Sequence, residues 1–346
     1  MKNIYNMKQF NLFTILCAGF FALFISSCKN EDVSFPDFDY TTVYFAYQTP
    51  VRTIVLGDDT YDTSLDNAHK CEIYATMGGV YANKKKIDID FVADNTLCNF
   101  LTFSDGVTPV VAMPSNYYTL GSSKISLDHA MQGAVGVSLT DAFFADPKSI
   151  TNTYVIPLRM TNVSNADSIL SGVAKIASAP LVNAAVWDVQ PKNYVLYCVK
   201  FINPWHGNYL RRGKDVISTQ AIPNIRHKTY VEYDEIASMT TTSLMSVLFP
   251  VKIKDASDAL VTCNLNLTFD NQGNCSVSTA TPGFTATGTG KFVKNGEKNS
   301  WANKDRNAIY LSYNISMTGK SYVTTDTLVA RDRGVKIETF SPVYTK

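Results

Sequence analysis

The strongest constraint on this chain is its repeated, short, strand-like stretches. Residues 43–47, 87–92, 133–139 and 154–160 are rich in β-branched and aromatic side chains and separated by clusters of Gly, Asn, Asp, Ser or Pro. Each such segment buries one face and must find partners for its edges, so many in succession predict sandwiches or barrels. Helical periodicity is scarce. The best stretch, "YDEIASMTTTSLMSVLF" (233–249), brings Ile236, Met239, Leu244 and Val247 only imperfectly onto one helical face, so at most one or two short helices are expected.

A change of composition divides the chain. Residues 161–193 begin as a polar loop, pass through a short apolar segment and end at Pro191, after which a dense strand starts at Tyr194. This predicts two all-β domains: an N-terminal immunoglobulin-like sandwich over 36–182 and an antiparallel meander barrel over 183–346. The second would open with the strand 194–202 and end with the hairpin-like segments "ATGTGKFV", "RNAIYLSYNISM" and "YVTTDTLVA".

At the other end, Lys2 and Lys8 precede an apolar stretch over residues 10–25 and then Ser26-Ser27-Cys28. A basic region, an apolar region and small residues form a secretory signal, whereas a membrane-spanning helix needs about 20 apolar residues. Ile25-Ser26-Ser27-Cys28 resembles the bacterial lipobox, whose cysteine is acylated and becomes the mature N-terminus. Residues 1–27 are therefore read as a lipoprotein signal peptide and 28–35 as a tether lipidated at Cys28. The Glu31-Asp32 pair resembles the tag that exports Bacteroidota lipoproteins to the cell surface, which predicts an outer-membrane anchor facing outward.

Residues 1–27 carry two of the 31 basic side chains and none of the 30 acidic ones, so the mature chain is close to neutral. Its densest basic run, Lys84-Lys85-Lys86, leads straight into a strand and reads as a solvated turn, and nucleic acid is not an expected partner.

Besides Cys28, the mature chain holds Cys71, Cys98, Cys198, Cys263 and Cys275. Cys263 and Cys275 flank the turn in "VTCNLNLTFDNQGNCSVSTA". A two-residue loop at Asn271-Gln272 would set Cys275 opposite Thr268, far from Cys263 along the ladder. The cysteines are read as small buried hydrophobes. With no C-x-x-C and scattered histidines, neither a metal site nor a cofactor is expected.

"NPWHGNYLRRG" (203–213) concentrates aromatic and basic side chains. Asn203-Pro204 sets up a turn and Gly207 relaxes its exit, so one reading is a corner in which Trp205 caps the barrel floor and His206 bonds to backbone. The other reading lays Trp205 and Tyr209 under a sugar ring, with His206, Arg211 or Arg212 bonding hydroxyls or an acidic sugar. Trp301, in the polar loop "KNGEKNSWANKDRN", is either tucked back as a lid or offered to a ligand.

"MPSNYYTLGSSKISLDHAMQGAVGVSLTDAFFADP" followed by "TYVIPLRMTNVSNADSIL" resembles the N-terminal domain of a Bacteroidota family of surface lipoproteins encoded with glycan-uptake systems. That domain also precedes the catalytic module of some endo-β-N-acetylglucosaminidases. "FINPWHGNYLRRG", "GTGKFV", "IYLSYNI" and "TLVARDRGVKIETF" resemble the C-terminal domain found behind it in non-catalytic members. The resemblance covers nearly the whole mature chain and implies an immunoglobulin-like domain, a lipocalin-like barrel and a role in glycan capture.

No catalytic constellation accompanies these segments. "IDIDF" resembles half of the acidic signature of those endoglycosidases, but Val92 stands where the general acid should be, and Asp88 and Asp90 read as the solvent face of a strand. "GTGKF" fails the phosphate-loop pattern, with Thr285 at the first glycine and Phe292 after the lysine. The acidic loop "GDDTYD" (57–62) matches no calcium-ligand spacing. The expectation is a non-catalytic, lipid-anchored surface protein that binds a glycan, with an outer-membrane transporter complex as a further partner. Two alternatives stay open: a docking module that touches no sugar, and a lipocalin-like cavity for a small apolar ligand.

Overall fold

The structure, a computed structural model, describes residues 36–346, so the segments expected to be a signal peptide (1–27) and a tether lipidated at Cys28 (28–35) lie outside the described residues. Tyr40–Lys346 form one compact all-β unit built from a two-sheet sandwich and a closed barrel.

In the sandwich, one sheet runs in the order Ser168–Ile169, Thr42–Tyr44, Lys70–Gly78, Gln132–Leu139, Tyr118–Leu120. The opposing sheet runs Glu338–Thr339, Pro50–Val55, Tyr194–Ile202, Tyr154–Ser164, Lys86–Ala93, Lys124–Asp128. Alternation fills the space between them. Ile73, Ile87, Ile89, Ile125, Leu127, Val135 and Val137 point inward and are buried, as the two-residue period of a half-buried strand requires. Asp88 and Asp90 take the outward positions, where Asp88 accepts from Ser126 and Asp90 pairs with Lys124 at 3.1 Å.

The sheet boundary departs from the expected 182/183 division. The Tyr194–Ile202 strand lies between Pro50–Val55, to which it is parallel, and Tyr154–Ser164, to which it is antiparallel. Val195, Val199 and Phe201 enter the main sandwich core, while Tyr194, Leu196 and Cys198 enter a second apolar cluster with Phe103, Val155 and Phe340. A strand buried on both faces reads as a near-continuous apolar run, so its density marked a sheet centre and not the opening of a new domain. Residues 161–193, taken as a divider, finish the preceding strand and form a small Val173–Ala174/Trp187–Val189 ladder.

The barrel has eight antiparallel strands: Gly207–Ile217, Glu235–Ser243, Ser246–Lys254, Leu260–Phe269, Asn274–Thr279, Phe284–Glu297, Arg306–Met317 and Lys320–Asp332. It closes where the last strand pairs with the first, from Asn208↔Asp332 to Ile217↔Tyr322. Every strand but one follows its neighbour through a short loop. The exception is the segment between Ile217 and Glu235, whose Asn224–Arg226 strand extends the pairing of Gly213 to Asp215. The stretch 233–249 forms no α-helix: it supplies most of a hairpin, with Ala237, Met239 and Thr241 inside and Ile236 exposed, a period of two.

Cys275 sits opposite Phe269, one residue from the register a two-residue turn would give, because Asp270 organises a longer loop by accepting from Gln272 and Asn274. Cys263 and Cys275 both face the interior, and all five described cysteines are free. Burial pushes the thiols of Cys71, Cys98, Cys198 and Cys275 up to about 12, which makes them inert.

The interior of the barrel is filled. Phe249, Leu265, Leu267, Ile309 and Leu328 form its apolar half. The other half is a buried ionic network of Arg211, Arg226, Asp215 and Asp326. Beyond the barrel the chain returns to the sandwich: Glu338–Thr339 pairs with Pro50 and Val51, Phe340 packs 4.8 Å from Phe103, and Val343–Tyr344 pairs with Leu101 and Thr102.

Candidate functional site

The chain crosses between sandwich and barrel twice, at Asn203-Pro204 and at Arg333-Gly334. Each crossing strips hydrogen-bond partners from the backbone, and two side chains restore them. Asn203, fully buried, accepts from the amides of Trp205 and His206 and donates to the carbonyls of Ser243 and Ser246. Arg333 donates to the carbonyls of His206, Leu56, Asp58 and Asn203, at 2.6 to 3.1 Å. Its burial lowers its pKa. Pro204 approaches Gly57 so closely that a β-carbon there would lie 2.9 Å from the proline ring, and Gly57 also holds a φ of +85°.

The clasp holds the "GDDTYD" loop of the sandwich against the mouth of the barrel. Between them is a cleft of about 220 Å³. Tyr209 and Phe292 give it an apolar floor, and Asp58, His206, Asn307 and Asp332 line its polar wall. These polar groups are held in place. Asp58 pairs with Lys294 at 2.7 Å, Asp332 accepts from Asn208 at 2.7 Å and from the Gly334 amide, and Asn307 accepts from the Asn295 amide. Asp305, also in the lining, is held below the usual carboxylate range by Lys298 and the Asn299 amide.

His206 accepts from the Thr241 amide through Nδ1 at 3.0 Å, so the neutral ring carries its proton on Nε2. Burial, then the charges of Arg333 and Lys200, push its pKa down to about 4. The ring is thus a neutral donor at physiological pH.

The residues singled out in the sequence part company here. Trp205 is buried in the barrel core, stacked on Phe269 at 4.1 Å and 6°. Tyr209 is buried beside it and donates to the Trp205 carbonyl at 2.9 Å. Arg211 and Arg212 go to opposite faces, as strand alternation dictates. Arg212 points out to Asp234 at 2.6 Å, whereas Arg211 points into the barrel, where it meets Asp326 and Tyr313. Trp301 is half-buried behind the cleft wall: it donates to the Ala330 carbonyl at 3.1 Å, and the Arg306 guanidinium lies 3.4 Å over its ring. One of its faces is therefore already covered.

Of the candidates, His206 and Tyr209 line the cleft, Trp301 braces it through Arg306 and Ala330, and Trp205 and Arg211 belong to the barrel interior. The sequence reading passed over Asp58, Asp332 and Arg333. The acidic loop was visible only as a failed calcium pattern, and nothing local marks Arg333 as a clasp. Among the described residues no cluster of His, Cys, Asp or Glu is arranged to hold a metal ion.

Comparison with known proteins divides the chain along the same lines. Residues 38–167 match a family described as an N-terminal domain, and residues 204–334 match a domain of unknown function, DUF5627. A Bacteroides ovatus protein of unknown function, solved by crystallography, is 45% identical, with a TM-score of 0.85 over 89% of this chain and 100% of its own. This chain belongs to the same two-domain family. An auxiliary nutrient binding protein from Bacteroides thetaiotaomicron (12% identity, TM-score 0.35, 83% of this chain and 95% of its own) is far more remote. So is a carbohydrate binding protein from Bacteroides ovatus (11%, 0.28, 86% and 97%). No curated protein matches the chain.

Proposed function

We propose that this chain is a non-catalytic glycan-binding lipoprotein, anchored through Cys28 on the outer face of the outer membrane, where it captures oligosaccharides for an uptake system. The observation that carries the reading is the cleft between sandwich and barrel. A pyranose offers an apolar ring face and a rim of hydroxyls. The half-buried Phe292 ring, with the carboxylates of Asp58 and Asp332, the Asn307 amide and the Nε2 proton of His206 around it, complements both. Because those groups are already held by partners, little ordering entropy opposes binding.

The same arrangement suits holding better than cleaving. Glycoside hydrolysis needs a carboxyl kept protonated near neutral pH, whereas Asp305 is shifted downward and Asp58 is paired with a lysine. Affinity electrophoresis on N-glycans, mucin oligosaccharides and plant polysaccharides tests binding. One class should retard the protein, and Asn307→Ala should cost about 1–2 kcal/mol of affinity, the worth of a hydrogen bond removed from a desolvated site. Free passage of the wild type through every class would defeat the reading. Replacing Cys28 with Ala should release the protein from the membrane fraction.

A further inference from the structure

The sandwich strand Lys70–Gly78 is left open along part of one edge. Thr42–Tyr44 covers only its far end, the last pair being Tyr44↔Thr76. From there the chain crosses to the opposing sheet, where the Phe45 amide donates to the Lys192 carbonyl and the Gln48 carbonyl accepts from the Leu196 amide. Residues 70–75 therefore have a strand neighbour on one side only, Gln132–Leu139.

Register decides which backbone groups are left over. The Leu139 amide donates to the His69 carbonyl and the Met77 amide to the Met131 carbonyl. Hydrogen-bonded pairs alternate in an antiparallel ladder, so the odd-numbered residues bond to Gln132–Leu139 and the even-numbered ones point the other way. Glu72 and Tyr74 thus face the open side. The Tyr197 hydroxyl, reaching from the opposing sheet, donates to the Glu72 carbonyl at 3.0 Å. Among the described residues no group bonds to the Glu72 amide, or to the amide and carbonyl of Tyr74.

Beside those groups is a groove of about 430 Å³. Its wall comes from both faces of the strand, Cys71 and Ile73 from the inner and Glu72 and Tyr74 from the outer. The groove therefore lies in line with the sheet, in the position of a missing neighbour. Val195 and Tyr197 back its inner side, and Tyr47, Leu65 and Tyr74 are exposed around its mouth. Such a lining favours apolar side chains, while the unpaired amides and carbonyl still require polar partners. An extended polypeptide supplies both. Its backbone groups recur about 7 Å apart, as those of Glu72 and Tyr74 do, and its side chains alternate between the two faces. A second copy does not offer this through the same edge, because Ala46, Tyr47 and Pro50 wall the groove and two recessed strands do not reach each other.

We infer that this edge takes up an extended segment of another polypeptide as an added strand. The segment prolongs the line of Thr42–Tyr44 and turns an apolar side chain in against Cys71, Ile73 and Val195. The inference is independent of the glycan reading, since the groove shares no lining residue with the cleft.

The test uses the mature chain, residues 28–346. In the free protein, amide exchange followed by NMR should be fast at Glu72 and Tyr74 and at least about a hundredfold slower at Cys71 and Ile73. The probes are synthetic peptides about seven residues long, alternating threonine with alanine, valine, isoleucine, leucine or phenylalanine. At least one should bind and slow exchange at Glu72 and Tyr74. Its affinity should fall at least about tenfold when the amides along one edge of the peptide are N-methylated. Tyr74→Thr, which keeps the backbone amide, should weaken that peptide roughly threefold, and Tyr74→Pro, which removes it, at least about tenfold. Melting curves verify that both variants fold, and the N-methylated peptides decide the matter should the proline variant not.

Slow exchange at Glu72 and Tyr74 in the free protein would show that the edge is already covered, by the chain's own tether if deleting residues 28–35 restores fast exchange, and would overturn the inference. Equal binding of N-methylated and parent peptides would make the groove an apolar pocket and not a strand site. Fast exchange with no peptide bound would leave a merely solvated edge, which overturns the inference as well.

Discussion

Sandwich and barrel are built from the same kind of strand, yet their interiors differ. The sandwich core is dominated by apolar side chains, with Phe45, Phe143 and Phe201 among its largest buried ones and the buried Asp66, paired with Arg52, at its edge. In the barrel, apolar packing gives way to an ionic network. Arg211 contacts Asp326 at 3.0 Å, and Arg226 bridges Asp215 at 2.7 Å and Asp326 at 2.7 Å. Tyr313 donates to Asp326 and Thr324 donates to Asp215. Gly213 leaves the space for this, since a β-carbon there would lie 2.5 Å from Asp326. Two sheets that merely face each other can close by burying area. A barrel that must also set its register around a ring gains more from groups that tolerate only one arrangement, although such networks add little net stability.

The largest expected effect would break this comparison most directly. Asp326→Ala leaves two buried guanidinium groups short of a partner and should cost roughly 3–5 kcal/mol. Phe201→Ala in the sandwich should cost a similar amount, roughly 3–5 kcal/mol, through a cavity. The two differ on repair. Replacing Arg211, Arg226, Asp215 and Asp326 together with apolar residues of matching volume should recover most of the stability in urea melts, whereas no second change in the apolar core would repair Phe201→Ala. If the fourfold replacement is as unstable as Asp326→Ala, the network is a net stabiliser and the contrast fails.

A smaller effect follows from His206 at the junction. Its folded pKa, about 4, lies below the usual 6.5, so the unfolded chain takes up its proton first as pH falls. Its contribution is fully present above pH 6.5 and drains away between there and about pH 4. The loss should be on the order of 2–3 kcal/mol. His206→Asn, which can still accept from the Thr241 amide, should flatten that part of the pH–stability curve. An unchanged slope would show that the ring is more hydrated than its surroundings suggest.

The smallest effect belongs to Trp301. Its stack with Arg306 lies in an exposed loop, so Trp301→Ala should lower stability by only about 0.5–1 kcal/mol. Because the ring braces Arg306 and Ala330 rather than lying open beside the cleft, glycan affinity should fall modestly through loosening of that wall. A loss of affinity equal to that of Asn307→Ala, without any change in melting temperature, would show instead that the uncovered face of the ring meets the sugar.

What was legible in the sequence is what depends on neighbours a few residues away. Alternation in segments such as Lys86–Ala93 and Arg306–Met317, the Asn203-Pro204 corner and the succession of hairpins that makes a meander follow from the side-chain period and turn chemistry, which act locally. The sequence by itself thus determined an all-β chain with a sandwich before a meander barrel. Only the tertiary structure decided that Tyr194–Ile202 lies in the sandwich, that the last residues return to it, and that Arg211 turns inward while Arg212 does not. It also decided that the 57–62 loop, Asn307 and Asp332 form one cleft. Each of these depends on pairing between residues far apart in the chain, and a strand buried on both faces, or an arginine with four distant carbonyl partners, carries no local pattern that names those partners.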